Sequence, residues 1–498
     1  MQKRLFLFGF LLLSFSLSEA EVNAGSGLVL LRKIQEKIPK EPPLYEEIKD
    51  SSKLATIRGY LDNERARTAI SLYRSALEFS GAKQGGLSPD SPYYIAIQEG
   101  GNHASSGFRL LSGGKIRMMT DTPFIMLGFQ PHRFQTTFLH ETGHVLLGVL
   151  GKNLPEGSPI ASIPHSTAAL SDRWTAFNEG FSIALETFAA HYGKNHDQNA
   201  YYRNHTFPIG DKNLFESGFF QNLRDFWSYS QNWNRYSMVR DNHFSFQVPR
   251  GMRGYLNIQL SPDRDRSAPR STAQLLISEG FHATFFFRLI SMLYEQDKKS
   301  KMEELAVSLQ PLMKALQSTF QTKLKKDAPY LLHFVISLAT LDSNLSEKVL
   351  KLLFQLSHGA FGDNQYAQTW KALHQASVEI NFAVLSPLEK KVRESQQDLW
   401  LGFQKDPNSL LKWDSPIVRT LVADLYVTMP VVFGARKIPL SFDLNTVQPN
   451  VLREIEFLNE SEVERICTQR SQKPYDSSKD FQTRSGLNEK KFKHFTFE

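Results

Sequence analysis

Residues 138–148 read FLHETGHVLLG. His140 and His144 stand four apart, so a helix through them carries both imidazoles on one face, where they reach a single ion. Phe138, Leu139, Val145, Leu146 and Leu147 surround the pair, which predicts a helix laid against a core, spanning about 131–150. Glu141 projects at a neighbouring angle, where a carboxylate can take a proton from water instead of binding metal. A catalytic zinc ion needs three protein ligands and one open position. This helix supplies two, so the fold must bring a third from elsewhere. Cys467 is the only cysteine, which excludes both a cysteine-based zinc site and an intrachain disulfide.

An extended metzincin pattern would require Gly at position 147 and His at position 150; the chain has Leu147 and Leu150 there. An acidic ligand on a second helix remains. Helical spacing through SDRWTAFNEGFSIALETFAAHY predicts that helix, with Ser171 or Asp172 as its N-cap, and Glu179 in FNEGF is the favoured third ligand. Glu186, seven residues on and near the same face, and Glu279 in the similar SEGFH stretch are alternatives, since an acid buried among Phe and Leu needs a partner.

Here the chain resembles the gluzincin metallopeptidases, and FNEGF is closest in wording to the aminopeptidase N family. The likeness covers about residues 138–190. The spacer from His144 to Glu179 is longer than that family usually has, and the loop over 151–171 absorbs the excess. The resemblance implies an α+β fold: a gluzincin-like core of a small sheet, the HExxH helix and a ligand helix, followed by a mainly α-helical C-terminal half. It implies one Zn2+ held by His140, His144 and Glu179, with Glu141 as general base, and a peptide or protein substrate. It also implies an oxyanion donor, for which Tyr201, Tyr202, His191, His205 and His282 are all open. Asn178 is expected to hold the site in shape, and Asp172 and Glu186 to accept from the ligating imidazoles. The exopeptidase strand motif of the aminopeptidases is missing, for Gly100-Gly101-Asn102-His103 does not match it, so an endopeptidase is favoured over an aminopeptidase. The other class of function is an exported, non-catalytic metal-binding or interaction protein on the same fold; an intact His140, Glu141 and His144 speaks against it.

The N-terminus carries Lys3 and Arg4, an apolar run from Leu5 to about Leu17, and Ser18-Glu19-Ala20. That is the pattern of a secretory signal peptide over 1–20, too short to span a bilayer, and it predicts an exported protein, periplasmic or secreted, with no membrane span after cleavage. Asn204-His205-Thr206 has the form of a glycosylation acceptor, a pattern of little specificity. The net charge of +7 over 498 residues is too mild to indicate a nucleic-acid partner.

Texture divides the rest. Residues 21–90 are expected to be an N-terminal helical segment, 91–298 the metallopeptidase core, 299–436 a helical domain and 437–498 a separate module. Short strands are expected at YYIAIQ, GFRLLS, KIRMM and PFIMLGF. Residues 195–270 read as long loops, and Arg264, Arg266 and Arg270 fit a solvated one. The final module resembles a helix-hairpin-helix pair: Asp443-Leu444-Asn445-Thr446 opens it and Lys473-Pro474-Tyr475 lies between its helices. Its first hairpin lacks the glycines that approach phosphate, and residues 441–498 hold nine Lys and Arg against ten Asp and Glu. A protein partner is therefore favoured over DNA.

Overall fold

The computed structural model describes residues 27–34, 41–80, 87–129, 137–151, 153–155, 172–192, 272–296, 301–325, 327–378, 381–415, 418–419, 442–445, 449, 452, 458–488 and 495–496. The expected signal peptide, most of the 151–171 loop, the 195–270 region with Tyr201, Tyr202, His205 and Arg264, Arg266 and Arg270, and the side chain of His191 lie outside them. Among the described residues no helix is long and apolar enough to cross a membrane.

Five strands form a small closed barrel: β1 (Leu28–Lys33), β2 (Leu44–Glu47), β3 (Tyr93–Gln98), β4 (His103–Ser112) and β5 (Lys115–Gly128), in the order β1-β2-β4-β5-β3. β1 runs parallel to β3 and β2 parallel to β4, while β4 and β5 form an antiparallel hairpin. Alternation sorts the side chains. Leu31, Tyr45, Tyr94, Ala96, Phe108 and Phe124 fill the barrel, and Tyr93, Ile95, Ile97, Ile125 and Leu127 face the helices. The expected boundary near residue 90 is therefore corrected, because β1 and β2 belong to the same sheet as β3–β5. Among the described residues of the first segment, helices occupy only the later part, as α1 (Ser51–Leu61) and α2 (Glu64–Phe79), separated at Asn63, whose side chain caps α2. The strands expected at KIRMM and PFIMLGF are one strand. Asp121 (φ 58°) and Gly107 (φ 78°) lie on either side of a bulge between Ser106 and Phe108, so the pairing resumes across the irregularity.

The helix bearing the two histidines, α3 (Thr137–Leu150), packs on the outer face of the barrel, and the helix bearing Glu179, α4 (Arg173–Tyr192), packs on α3. Asp172 caps α4 by accepting from the Thr175 amide at 2.8 Å. Residues 272–296 form two helices, α5 (Thr272–Leu276) and α6 (Glu279–Gln296), broken at Ser278, whose hydroxyl accepts from the Phe281 amide. Glycines let the three central helices approach closely. A Cβ on Gly143 of α3 would lie 2.6 Å from the Ser182 hydroxyl of α4, and one on Gly180 of α4 would lie 2.4 Å from the His282 Cβ of α6.

The helical half continues as α7 (Leu305–Ser308), α8 (Gln310–Thr319), α9 (Tyr330–Leu341), α10 (Ser343–Ser357), α11 (Asn364–Val378) and α12 (Phe382–Lys405). Trp174 and Phe177 of α4 pack edge-on against Tyr330 of α9 and Phe286 of α6, with ring centroids 5.4 and 5.3 Å apart. Arg173, at the first turn of α4, donates two hydrogen bonds to the Asp414 carboxylate, at 2.7 and 2.8 Å; the guanidinium is buried and the carboxylate mostly so. Removing one member strands the other's charge in the interior, a loss of about 3–5 kcal/mol. Asp414→Ala is therefore expected to lower the urea midpoint strongly. Arg67→Ala, which breaks the exposed pair with Glu303, should lose no more than about 1 kcal/mol.

The C-terminal unit has its own core of Leu444, Leu452, Val463, Ile466, Tyr475 and Phe481. Its helices are α13 (Glu460–Gln472), opened by an Asn459–Glu462 capping box, and α14 (Ser478–Ser485), closed by Gly486 at φ 66°. Buried Asn445 accepts from the Tyr475 amide and donates to its carbonyl, at 2.7 and 3.0 Å. The opening and the linker singled out in the sequence thus meet in space. Of the first hairpin (residues 456–461), Glu456 and Phe457 lie outside the described residues.

Candidate metal centre

His140 and His144 lie one turn apart on α3 with their Nε2 atoms 3.3 Å from each other. Glu179 Oε2, from the first half of α4, is 3.5 Å from the His140 Nε2 and 3.6 Å from the His144 Nε2. Among the described residues this is the one group of three histidine, cysteine or acidic side chains close enough to share an ion. A tetrahedral zinc with bonds of about 2.0–2.1 Å has ligand atoms about 3.3–3.4 Å apart. The observed triangle has nearly that edge. Two imidazole nitrogens and a carboxylate oxygen turned toward one point are a donor set that fits a divalent metal.

The opposite ring nitrogens face partners that fix each imidazole. His144 Nδ1 lies 2.8 Å from Asn178 Oδ1 and 3.1 Å from the Ser182 hydroxyl, which itself donates to the Asn178 carbonyl. The His144 Nδ1 proton is therefore held by these acceptors, leaving the Nε2 lone pair for metal. His140 Nδ1 lies 3.4 Å from Glu186 Oε2. Asn178 and Glu186 thus sit where the sequence placed them, as supports. Asp172 does not, since its carboxylate is taken by the α4 N-terminus. Ser182 was missed, although its place one turn after Asn178 puts it on the same face.

Glu279 and His282 face away from this cluster. The α6 turn that carries them packs against Gly180, on the side of α4 opposite to Ser182 and Gly143. The His282 ring lies near Phe177, and burial pulls its pKa down to about 3, the Ala176 carbonyl opposing that shift, so it is a neutral core histidine.

Glu141 is buried on the other flank of the histidines. Burial raises its carboxyl above the ordinary range; His140 and His144 oppose the rise, Glu179 adds to it, and the Ala104 amide, donating to the carboxylate, also opposes it. That amide belongs to the part of β4 before the bulge. There, residues 103–106 pair with β5 on one side, while β2 joins β4 only from Arg109 onward. The outer edge of this stretch runs past Glu141. Behind the motif, the Tyr93 hydroxyl of β3 meets the Thr142 hydroxyl at 2.9 Å, tying α3 to the barrel.

Burial alone would pull His140 down, but the Glu179, Glu186 and Glu141 carboxylates hold its pKa well above the imidazole norm. The metal-free site therefore keeps a proton that zinc must displace. A folded-state pKa raised above the unfolded value of about 6.5 contributes stability that is complete below it and lost as pH climbs through the folded value. Zinc binding gains over the same interval. The rise in Tm produced by saturating zinc, relative to chelator-treated protein, should widen as pH is raised above the ordinary imidazole value of about 6.5. A gap that stays constant or narrows would contradict a proton held at His140.

No protein-family model, curated protein or solved structure matches the chain. The likeness to gluzincins rests on the residues of α3 and α4, and the site stands on its own geometry.

Proposed function

We propose that the chain is an exported zinc-dependent peptidase, with His140, His144 and Glu179 holding one Zn2+ and Glu141 acting as general base. The observation that carries this reading is the triangle of Nε2, Nε2 and Oε2 atoms, 3.3–3.6 Å on a side. When bound, zinc supplies a Lewis acid for the carbonyl oxygen and lowers the pKa of a water molecule. Glu141 accepts the proton of the attacking water and passes it to the leaving amine; burial raises its carboxyl above the ordinary range, which favours its holding the proton between the two transfers. Asn178, Ser182 and Glu186 keep both imidazoles turned with Nε2 toward the substrate side. The outer edge of β4 at residues 103–106 supports a polypeptide substrate, because an extended chain can add to it as a further strand beside Glu141. Pairing along a strand does not require a free terminus, which favours an endopeptidase.

The test is a purified mature protein incubated with a mixture of peptides, the products sequenced by mass spectrometry. Cleavage at internal bonds, abolished by a chelator and restored by zinc, is expected. Loss of single residues from the N-terminus would instead identify an aminopeptidase. Stoichiometric zinc with no cleavage of any peptide or unfolded protein would favour the non-catalytic metal-binding reading.

A further inference from the structure

We infer that the outer edge of β5 at residues 115–119 is a docking site for an extended, acidic segment of another protein, which adds to the barrel as a further strand. β3 pairs with β5 only from Phe124 onward, so among the described residues no strand pairs with the outer edge of β5 between Lys115 and Met119. The β4–β5 hairpin turns through Gly113 (φ 56°) and Gly114 (φ 73°), a two-residue type I′ turn closed by the Ser112–Lys115 pair. That turn sets the bonding pattern. Lys115, Arg117 and Met119 bond back to β4, and the N–H and C=O groups of Ile116 and Met118 point to the outer edge. The facing strand agrees: Arg109, across from Met118, sends its N–H away from the hairpin to the Pro43 carbonyl, at 2.8 Å.

The side chains fit the same occupant. Ile116 and Met118, whose backbone groups face outward, are also 56% and 57% exposed on one face of the hairpin. Lys115 and Arg117 stand on the other face, and neither has an ion-pair partner among the described residues; Glu46 on neighbouring β2 is taken by Arg32. A strand alternating apolar and acidic residues therefore meets apolar side chains on one face and cations on the other. A second copy of this chain fits poorly. Antiparallel self-pairing centred on Ile116 sets Lys115 against Arg117, and centred on Arg117 sets that residue against itself, like charges directly opposite. Pairing centred on Met118 runs into the bend at Asp121, φ 58°. A membrane surface would leave the outward N–H and C=O groups without the partners that an added strand supplies. This edge lies on the opposite side of the hairpin from residues 103–106, so it is separate from the edge that passes Glu141.

The probe is a short fluorescent peptide alternating Val and Glu, read by fluorescence anisotropy against the full-length, chelator-treated protein, so that no metal-dependent cleavage consumes it. Saturable binding that weakens as salt rises is expected, with slowed hydrogen exchange at the Ile116 and Met118 amides. Lys115→Glu/Arg117→Glu should weaken binding at least about tenfold, and the same peptide with Lys in place of Glu should not bind. Met118→Pro removes an outward N–H without breaking a bond to β4, and should also weaken binding about tenfold or more. If that variant fails to fold, peptides methylated at alternate amide nitrogens replace it. Methylation of one alternate set should abolish binding and of the other leave it intact; equal effects would overturn the inference. So would no binding at millimolar peptide, equal binding of the lysine peptide, or wild-type affinity in the charge-reversed variant. A dimer of the protein alone that Met118→Pro dissociates would give the edge to a second copy instead. Retention on phosphatidylglycerol vesicles that charge reversal abolishes, in place of peptide binding, would give it to a membrane, and either result removes the acidic partner.

Discussion

Glu141→Gln is expected to keep its zinc and its fold while losing about 10²–10⁴-fold in kcat. The substitution removes only the ability to take a proton. Gln has the same length, and its side-chain oxygen can still accept from the Ala104 amide that Glu141 accepts from. Because burial disfavours the charged carboxylate, neutralising it should leave Tm unchanged or slightly raised. Peptide turnover and metal content measured on the same sample separate the outcomes. A variant that retains zinc and turns over like wild type would remove Glu141 from the chemistry. One that loses zinc as well would make Glu141 part of the ligand set, a role its place outside the ligand triangle does not suggest.

Glu179→Ala should lose zinc altogether under conditions in which wild type holds one ion per chain, whereas Glu279→Ala should hold it unchanged. The carboxylate of Glu179 is the side chain within 3.6 Å of both Nε2 atoms, and two imidazoles alone leave the ion half coordinated. Glu186→Ala belongs between these, with the weakening of about 10–100-fold that follows loss of a group behind a ligand. Mass spectrometry of the intact metalloprotein reads all three. Zinc retained in Glu179→Ala but lost in Glu279→Ala would place the ion against α6 and detach it from the histidine pair as drawn here.

The part of this site that is legible in the sequence is the part that is local. His140 and His144 declare themselves because one helical turn puts them together, and Asn178, Glu179 and Glu186 because they share a helix. The choice among Glu179, Glu186 and Glu279 was not local. It depends on which side of α4 faces α3, decided by close packing at Gly143 and Gly180. The strands LVLLRK and LYEE were hidden by the strong helical spacing that follows them. Besides pairing with each other, both bond to partners some sixty-five positions away, such as Leu28 with Tyr93 and Leu44 with Arg109, which no window of sequence contains.

That ring of strands bears on how the molecule can be made and cut. A fragment beginning near residue 91, where the texture of the sequence changes, would carry both histidines and Glu179, yet it would leave β3 and β4 without their parallel neighbours. Two raw edges would then be open to other chains, a known route to aggregation. The same arrangement imposes an order on synthesis. The first strand can pair early with the second, but its other edge has to wait until the third has been made, and the surface on which the histidine helix rests exists only once Gly128 has been added. Keeping such a chain open until the ring can close is compatible with passage through an export channel before folding, and it predicts that N-terminal truncation harms this protein more than its distance from the metal centre would suggest.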